Sequence, residues 1–340
     1  MKVYRLKRSR PQITVIGGGT GLPVILNSLK NKDANVTAIV TVADDGGSSG
    51  ELRKMFNTVP PGDIRNVLIS LSDIPEKQKE IFQYRFKSED KTLNGHSLGN
   101  LIILATSEMQ GSMYQAIQIL TKMMDVKGHV YPASEEPLIL HARYTDGTFG
   151  EGESHIAQPN KTIDYVSVST TNPENKTAKA GKKVVSSIMN ADMVVLGPGS
   201  LYTSILPSLM IPEISQAIIE TPAQVLYISN IMTQMGETEG FSDANHVEVL
   251  CKHLNHDFID TVLVNNAEVP KEHVAKMENN EYLLQVDHDF KKLEEKVSTI
   301  ISNDFLNITD KGVYHHGDKV VEEILRSVSF NHRRLRNIKY

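Results

Sequence analysis

The chain has 340 residues, 40% apolar and 23% charged, the balance of a globular protein with a large buried core in one α/β domain or two smaller ones. A formal net charge of −5 excludes a general attraction to nucleic acid, and no apolar run approaches the ~20 residues that a membrane-spanning helix needs. The single cysteine, Cys251, excludes an intramolecular disulfide and a cysteine zinc site; with no signal peptide legible, the expected location is cytoplasmic.

Residues 1–11 read as a basic N-terminal segment with Lys2, Arg5, Lys7, Arg8 and Arg10, a solvated tail or a surface for anions. A buried strand follows at Ile13–Ile16 and runs into Gly17, Gly18, Gly19, Thr20 and Gly21. An apolar-periodic segment with Leu22, Ile25, Leu26 and Leu29 comes next, so the pattern is strand, glycine turn, helix. Thr20 is placed to cap the new helix, whose free N–H groups favour an anion, and phosphate is the natural ligand. The turn is not a dinucleotide fingerprint, because Leu22 stands where a third glycine is required, and it lacks the Gly-Lys-Ser/Thr of a Walker A loop. A purely structural turn is the alternative.

Val36–Val42 reads as a second buried strand, ending in Asp44, Asp45 and a glycine-rich turn. Adjacent residues on an extended chain point opposite ways, so one of the two carboxylates is expected to face a site. There it would bind Mg²⁺ beside phosphates or a ribose hydroxyl; a solvated turn is the alternative. Helical patterns then cover Ile64–Leu71, Lys77–Phe86, Leu98–Met109 and Tyr114–Met124. Asp63 is placed to cap the first of these, with Arg65 in its first turn as a clamp for phosphate or carboxylate. The turn before Leu98 holds His96, a general base or hydrogen-bond donor, or else a half-exposed helix-initiating residue; Asn100 follows it.

Gly128–Val130, Pro137–Tyr144 and Thr148–Glu151 read as short strands of an antiparallel excursion, after which Ile163–Ser169 resumes the α/β rhythm. A helix at Ala178–Met189 and a strand at Met193–Leu196 lead into a second glycine turn with Gly197, Gly199, Ser200, Thr203 and Ser204. Strands at Gln224–Ile228 and Thr261–Val264 end in Asn230 and Asn265, and helices fit Ala244–Leu254, Lys291–Ile301 and Asp318–Val328. Residues 331–340 form a basic C-terminal tail with Arg333, Arg334, Arg336 and Lys339. His315-His316 falls in a turn and takes no role.

Alternating strands and helices imply a mostly parallel sheet covered on both faces, with ligands beyond the carboxyl ends of its strands. Those ends carry Gly17, Asp44, Asp45, Gly197, Asn230 and Asn265, which converge on one nucleotide site. No lysine stands in either glycine loop, no serine–histidine pair is evident from spacing, and the one cysteine lies mid-helix, so no residue is assigned a catalytic role.

Five motifs in series, Gly17–Gly21, Val42–Gly50, Pro61–Arg65, Gly95–Asn100 and Leu196–Ser204, resemble the CofD-like superfamily, most closely its YvcK branch of gluconeogenesis factors. The resemblance covers residues 12–330, read as one domain. It implies a Rossmann-like three-layer αβα fold. For the YvcK branch it implies binding of a UDP-sugar such as UDP-N-acetylglucosamine and regulation of cell-wall morphogenesis and cell shape under gluconeogenic growth. For the CofD branch it implies transfer of a phospholactate-type group from a nucleotide-activated donor with Mg²⁺. The diphosphate is then expected on the Gly17–Gly21 and Gly197–Ser204 loops with Asn230. Asp44 and Asp45 are the candidate Mg²⁺ ligands, and Asp63, Arg65, His96 and Asn100 complete the rim. A regulatory protein and a second copy of the chain are the further partners expected of a sensor.

Overall fold

A computed structural model describes residues 10–89, 92–158, 160–274, 282–310 and 312–337. Lys2, Arg5, Lys7, Arg8 and Lys339 lie outside the described residues.

Four consecutive residues of a strand can be buried only if both faces of the sheet are covered. That is the situation at β1 (Gln12–Gly17), β2 (Asn35–Val40) and β7 (Met193–Leu196), where every residue after the first turn-facing position is buried. In chain order the other strands are β3 (His129–Pro132), β4 (Leu138–Tyr144), β5 (Phe149–Glu151), β6 (Ile163–Thr170), β8 (Gln224–Ile228) and β9 (Met232–Gln234). They are followed by β10 (Thr261–Asn265), β11 (Tyr282–Gln285), β12 (Thr299–Asn303), β13 (Leu306–Thr309) and β14 (Gly312–His315). Seven of them build the main sheet in the order β12-β10-β8-β7-β1-β2-β3, all parallel. The fold is a three-layer α/β sandwich. Among its helices α1 (Gly21–Leu29) packs on α3 (Pro61–Leu71) and on the helix Gly317–Asn337, while the helix Lys182–Met189 packs on Pro212–Glu220.

Four sequence readings are corrected. The segment Gly128–Val130 is not part of an antiparallel excursion: β3 pairs in parallel with β2, Thr37 opposite His129, because helices Leu98–Gln110 and Met113–Met123 carry the chain back across the sheet. Conversely, Ile163–Ser169 leaves the main sheet. As β6 it pairs antiparallel with β4 in a three-stranded side sheet, and its mixed burial marks a strand with one face toward solvent. The helix expected over Lys291–Ile301 stops at Lys296, and the β-branched run that follows becomes β12, the edge strand beside β10. The glycine-rich turn after Asp45 is the first turn of a helix, α2 (Gly47–Phe56).

Candidate functional site

The chain builds β1, β2 and β3 outward in one direction and then returns to place β7 on the other side of β1. This reversal opens a crevice beyond the carboxyl ends of β1 and β7. Both glycine turns leave the sheet there, and the Gly197 N–H donates to Ile16 O at 2.9 Å. Glycine is required by close approach. A Cβ at Gly21 would lie 2.7 Å from Pro198 O, and one at Gly18 would lie 2.3 Å from Thr41 Cγ2. Gly19 has φ +64°, the left-handed region.

Neither side-chain cap expected at the two helices forms. Thr20 occupies the N-cap of α1, but its side chain caps nothing. Asp63 does not cap α3, whose N-cap is Pro60; its Oδ2 accepts the Gly19 N–H at 2.7 Å and so ties α3 to the first glycine turn. After the second turn the chain enters a π-helical turn, Leu201–Ile205, with Ile205 N–H donating to Ser200 O at 3.0 Å. The wider turn places Thr203 and Ser204, both buried, beside the crevice.

Between the turns lies a cavity of about 520 Å³. Gly18, Gly19, Thr20 and Gly21 form one wall, and Gly199, Ser200, Thr203 and Ser204 face them. Asn230 and Met232 continue the wall beyond β8, Asp44 and Gly46 come from beyond β2, and Tyr314 and His315 come from β14. Glu153, Ser154 and Glu237 complete it. Gly17 and Gly197 lie beneath, at the strand ends, and do not line it. Sequence reading missed Glu153, Glu237 and His315, because no local pattern links them to either glycine turn.

The charged residues on the wall are Asp44, Glu153 and Glu237, all acidic. Burial pushes the Glu153 carboxyl well above the ordinary range, raises Asp44, and lifts Asp63 beneath the turn to about 6. Burial also pushes His315 down to about 4, with its Nε2 3.1 Å from Ser229 O, so the ring is neutral at pH 7. A phosphate entering here meets carboxylates, and among the described residues no lysine or arginine lines the cavity. Asp44 and Asp45 part company: Asp44 lines the cavity, while Asp45 Oδ1 accepts from Ser154 N at 2.9 Å and Ser154 Oγ at 2.6 Å. Among the described residues no group of three or more His, Cys, Asp or Glu side chains is placed to hold a metal. Of the two expected Mg²⁺ ligands, Asp44 lines the wall and Asp45 does not, so beside Asp44 the ion's remaining ligands would be water and phosphate oxygens, a combination usual for Mg²⁺.

Arg65, His96 and Asn100 lie off the cavity and form a cluster of their own. Arg65 Nη1 donates to Asn100 Oδ1 at 2.8 Å and Nη2 to Asn66 Oδ1 at 2.9 Å. Burial, first, and Arg85 lower the Arg65 pKa to about 10, so the guanidinium keeps its charge at pH 7. His96 is 3% exposed, not half-exposed, because Phe86 N–H bonds to its carbonyl and folds the segment over it. Its Nδ1 is 2.9 Å from Ser48 Oγ and its Nε2 3.3 Å from Glu51 Oε2. A serine–histidine pair is thus present, between residues 48 positions apart, which spacing alone does not reveal.

Residues 13–306 match the family described as 2-phospho-L-lactate transferase CofD. A Streptococcus pyogenes protein provisionally named gluconeogenesis factor is 55% identical over 318 residues, covering 94% of this chain and 98% of the relative. The gluconeogenesis factor of Listeria innocua is 45% identical over 319 residues, covering 94% and 96%. The crystal structure of a UPF0052 family member from Bacillus halodurans superposes with a TM-score of 0.88 at 40% identity, covering 93% of this chain and all (100%) of that one.

Proposed function

The chain belongs to the CofD family, and from that premise we propose that it binds a UDP-sugar such as UDP-N-acetylglucosamine and acts in the cytoplasm as a regulator. The process it regulates is cell-wall morphogenesis and cell shape during gluconeogenic growth; the names of its relatives support the gluconeogenic part of that reading. The observation that carries it is the pair of glycine turns facing each other across one cavity of about 520 Å³ at the sheet's switch point. Backbone N–H groups and the hydroxyls of Thr203 and Ser204 suit a diphosphate, and Mg²⁺ at Asp44 would neutralise its charge against the acidic wall.

Calorimetry tests it. Saturable heat is expected with UDP-N-acetylglucosamine in Mg²⁺ and none with NAD. Thr203→Val and Ser204→Ala should each weaken binding roughly tenfold, the loss of one hydrogen bond to a charged oxygen. No heat with any UDP-sugar would sink the proposal.

A CofD-like transferase is the second reading. It draws on Glu153, a buried carboxyl of raised pKa on the cavity wall, suited to move a proton at an acceptor hydroxyl. Chromatography of the nucleotide after incubation with UDP-N-acetylglucosamine and Mg²⁺ separates the two. A regulator leaves the nucleotide intact, whereas release of UDP or UMP above the buffer control, lost in Glu153→Gln, selects the transferase.

A further inference from the structure

A chain of hydrogen bonds runs past the cavity from Arg65 through Asn100 and Ser48 to His96, with the Glu51 carboxylate at ion-pair distance beyond the ring, and its ends fix the polarity of everything between them. A guanidinium only donates, so Arg65 holds Asn100 Oδ1 toward itself at 2.8 Å. The Asn100 amide must then point its Nδ2 at Ser48 Oγ, 3.2 Å away, as a donor. At the other end a carboxylate only accepts. Glu51 Oε2, 3.3 Å from His96 Nε2, places the ring proton on Nε2. His96 Nδ1 is left as an acceptor 2.9 Å from Ser48 Oγ, and the hydroxyl proton points into it. Ser48 Oγ retains a second lone pair. It stands in the first turn of α2, where backbone N–H groups have no helical acceptor, two residues from Gly46 on the cavity wall.

We infer that Ser48 is a nucleophilic serine that attacks phosphorus. Its natural electrophile, a nucleotide phosphoanhydride, rests on the transferase reading of the site and not on the regulator reading; the reactivity of the hydroxyl rests on neither. In the step, Ser48 Oγ forms a bond to phosphorus, its proton passes to His96 Nδ1, and the anhydride P–O bond breaks with its electron pair on the departing phosphate oxygen. Glu51 faces the imidazolium that results. Asn100, polarised by Arg65, steadies the oxygen as its proton leaves. His96 is the general base, and Arg65, Asn100 and Glu51 are positioning residues.

The molecule contains its own control. On the side sheet, Ser169 Oγ lies 2.7 Å from His141 Nε2, and Glu151 Oε2 lies 3.5 Å from Nδ1 of the same ring. That trio has the same residue types on strands, but its serine sits within β6 rather than at a helix N-terminus and does not line the cavity, and the His141 side chain is 34% exposed.

The test uses the whole purified chain and a fluorophosphonate, which needs no nucleotide. Attack forms the Oγ–P bond, breaks P–F and releases fluoride. Peptide mass spectrometry should find the adduct on Ser48 and not on Ser169. Ser48→Ala should abolish it, and His96→Gln, with unchanged circular dichroism, should slow it at least ~100-fold. An unlabelled Ser48 in folded protein, equal labelling of Ser169, or an undiminished rate in His96→Gln would overturn the inference. So would acylation of Ser48 by p-nitrophenyl acetate without phosphonylation. Each of these leaves the calorimetric test of nucleotide binding standing.

Discussion

Asp63 holds the first glycine turn from a helix 44 residues away in sequence, through one hydrogen bond of 2.7 Å to Gly19 N–H. Burial lifts its pKa from 3.8 to about 6, against that bond, which favours the charged form. The sign follows from linkage. Between those two values the folded chain keeps a proton that the unfolded chain has released, so stability falls as pH rises from about 4 to 6 and stays lower above. A shift of that size corresponds to about 3 kcal/mol. Asp63→Asn keeps an acceptor for Gly19 and removes the buried charge. Urea unfolding should show it more stable than the parent at pH 7.5 by roughly 1–3 kcal/mol, with a flatter profile between pH 4 and 6. Equal midpoints at pH 7.5 would mean that neighbouring groups already compensate the charge. Gly18→Ala is expected to cost roughly 1–3 kcal/mol by overpacking, since the new methyl would sit 2.3 Å from Thr41 Cγ2 and 2.7 Å from Asp63 Oδ2.

At the scale of elements, His253 fastens the side sheet to the helix Asp243–Leu254. Its Nε2 accepts Val166 N–H from β6 at 3.0 Å, its Nδ1 is 2.7 Å from Val249 O, and its ring stacks on Tyr165 at 4.4 Å. The proton is therefore on Nδ1, and burial pushes the pKa down to about 4. The sign is opposite to that of Asp63: stability present above pH 6.5 is lost as pH falls toward 4, because the unfolded chain takes up the proton first. NMR of the ring nitrogens at pH 5.5 should show a neutral Nδ1–H tautomer; an imidazolium there would remove the proposed link to Val166. The contact also shows why β6 was not legible. Val166 and Val168 look like a buried parallel strand, and only the partner across β4 and the histidine 87 residues on place it in the side sheet. The central strands β1, β7, β8 and β10 were legible because an unbroken apolar run needs no knowledge of its neighbours. β12 was hidden behind a helix only seven residues long, and the half-buried β13–β14 hairpin has no apolar run at all. The glycine turns could be found because their chemistry is local. Glu153, His315 and the Ser48–His96 pair depend on contacts the chain makes only when folded.

The whole molecule brings the cavity walls from five stretches of chain, at 18–24, 44–46, 153–157, 198–204 and 230–237, with β14 as a sixth. No single element owns the site, so a ligand that fills it must hold these stretches together and stabilise the folded chain. At 100 times its dissociation constant a ligand adds about 2.7 kcal/mol, which for a chain of this length raises the melting temperature by roughly 4 °C. UDP-N-acetylglucosamine with Mg²⁺ should give this shift, and hydrogen exchange should slow at the glycine turns and at β14 but not in the helix Met113–Met123, which packs on the edge strand β3. The charge on the wall decides the role of the metal. The carboxylates of Asp44 and Glu237 repel a diphosphate, the described lining residues include no lysine or arginine to offset them, and a divalent cation between Asp44 and the phosphates reverses the sign. Chelation with EDTA should therefore remove most of the shift. Asp44→Asn should lower the shift in Mg²⁺ far more than the residual shift in EDTA. Equal loss in the two conditions would instead point to a contact between Asp44 and a ribose hydroxyl. A full shift in EDTA with Asp44 intact would mean that protonated carboxyls, Glu153 first among them, accommodate the phosphates without metal.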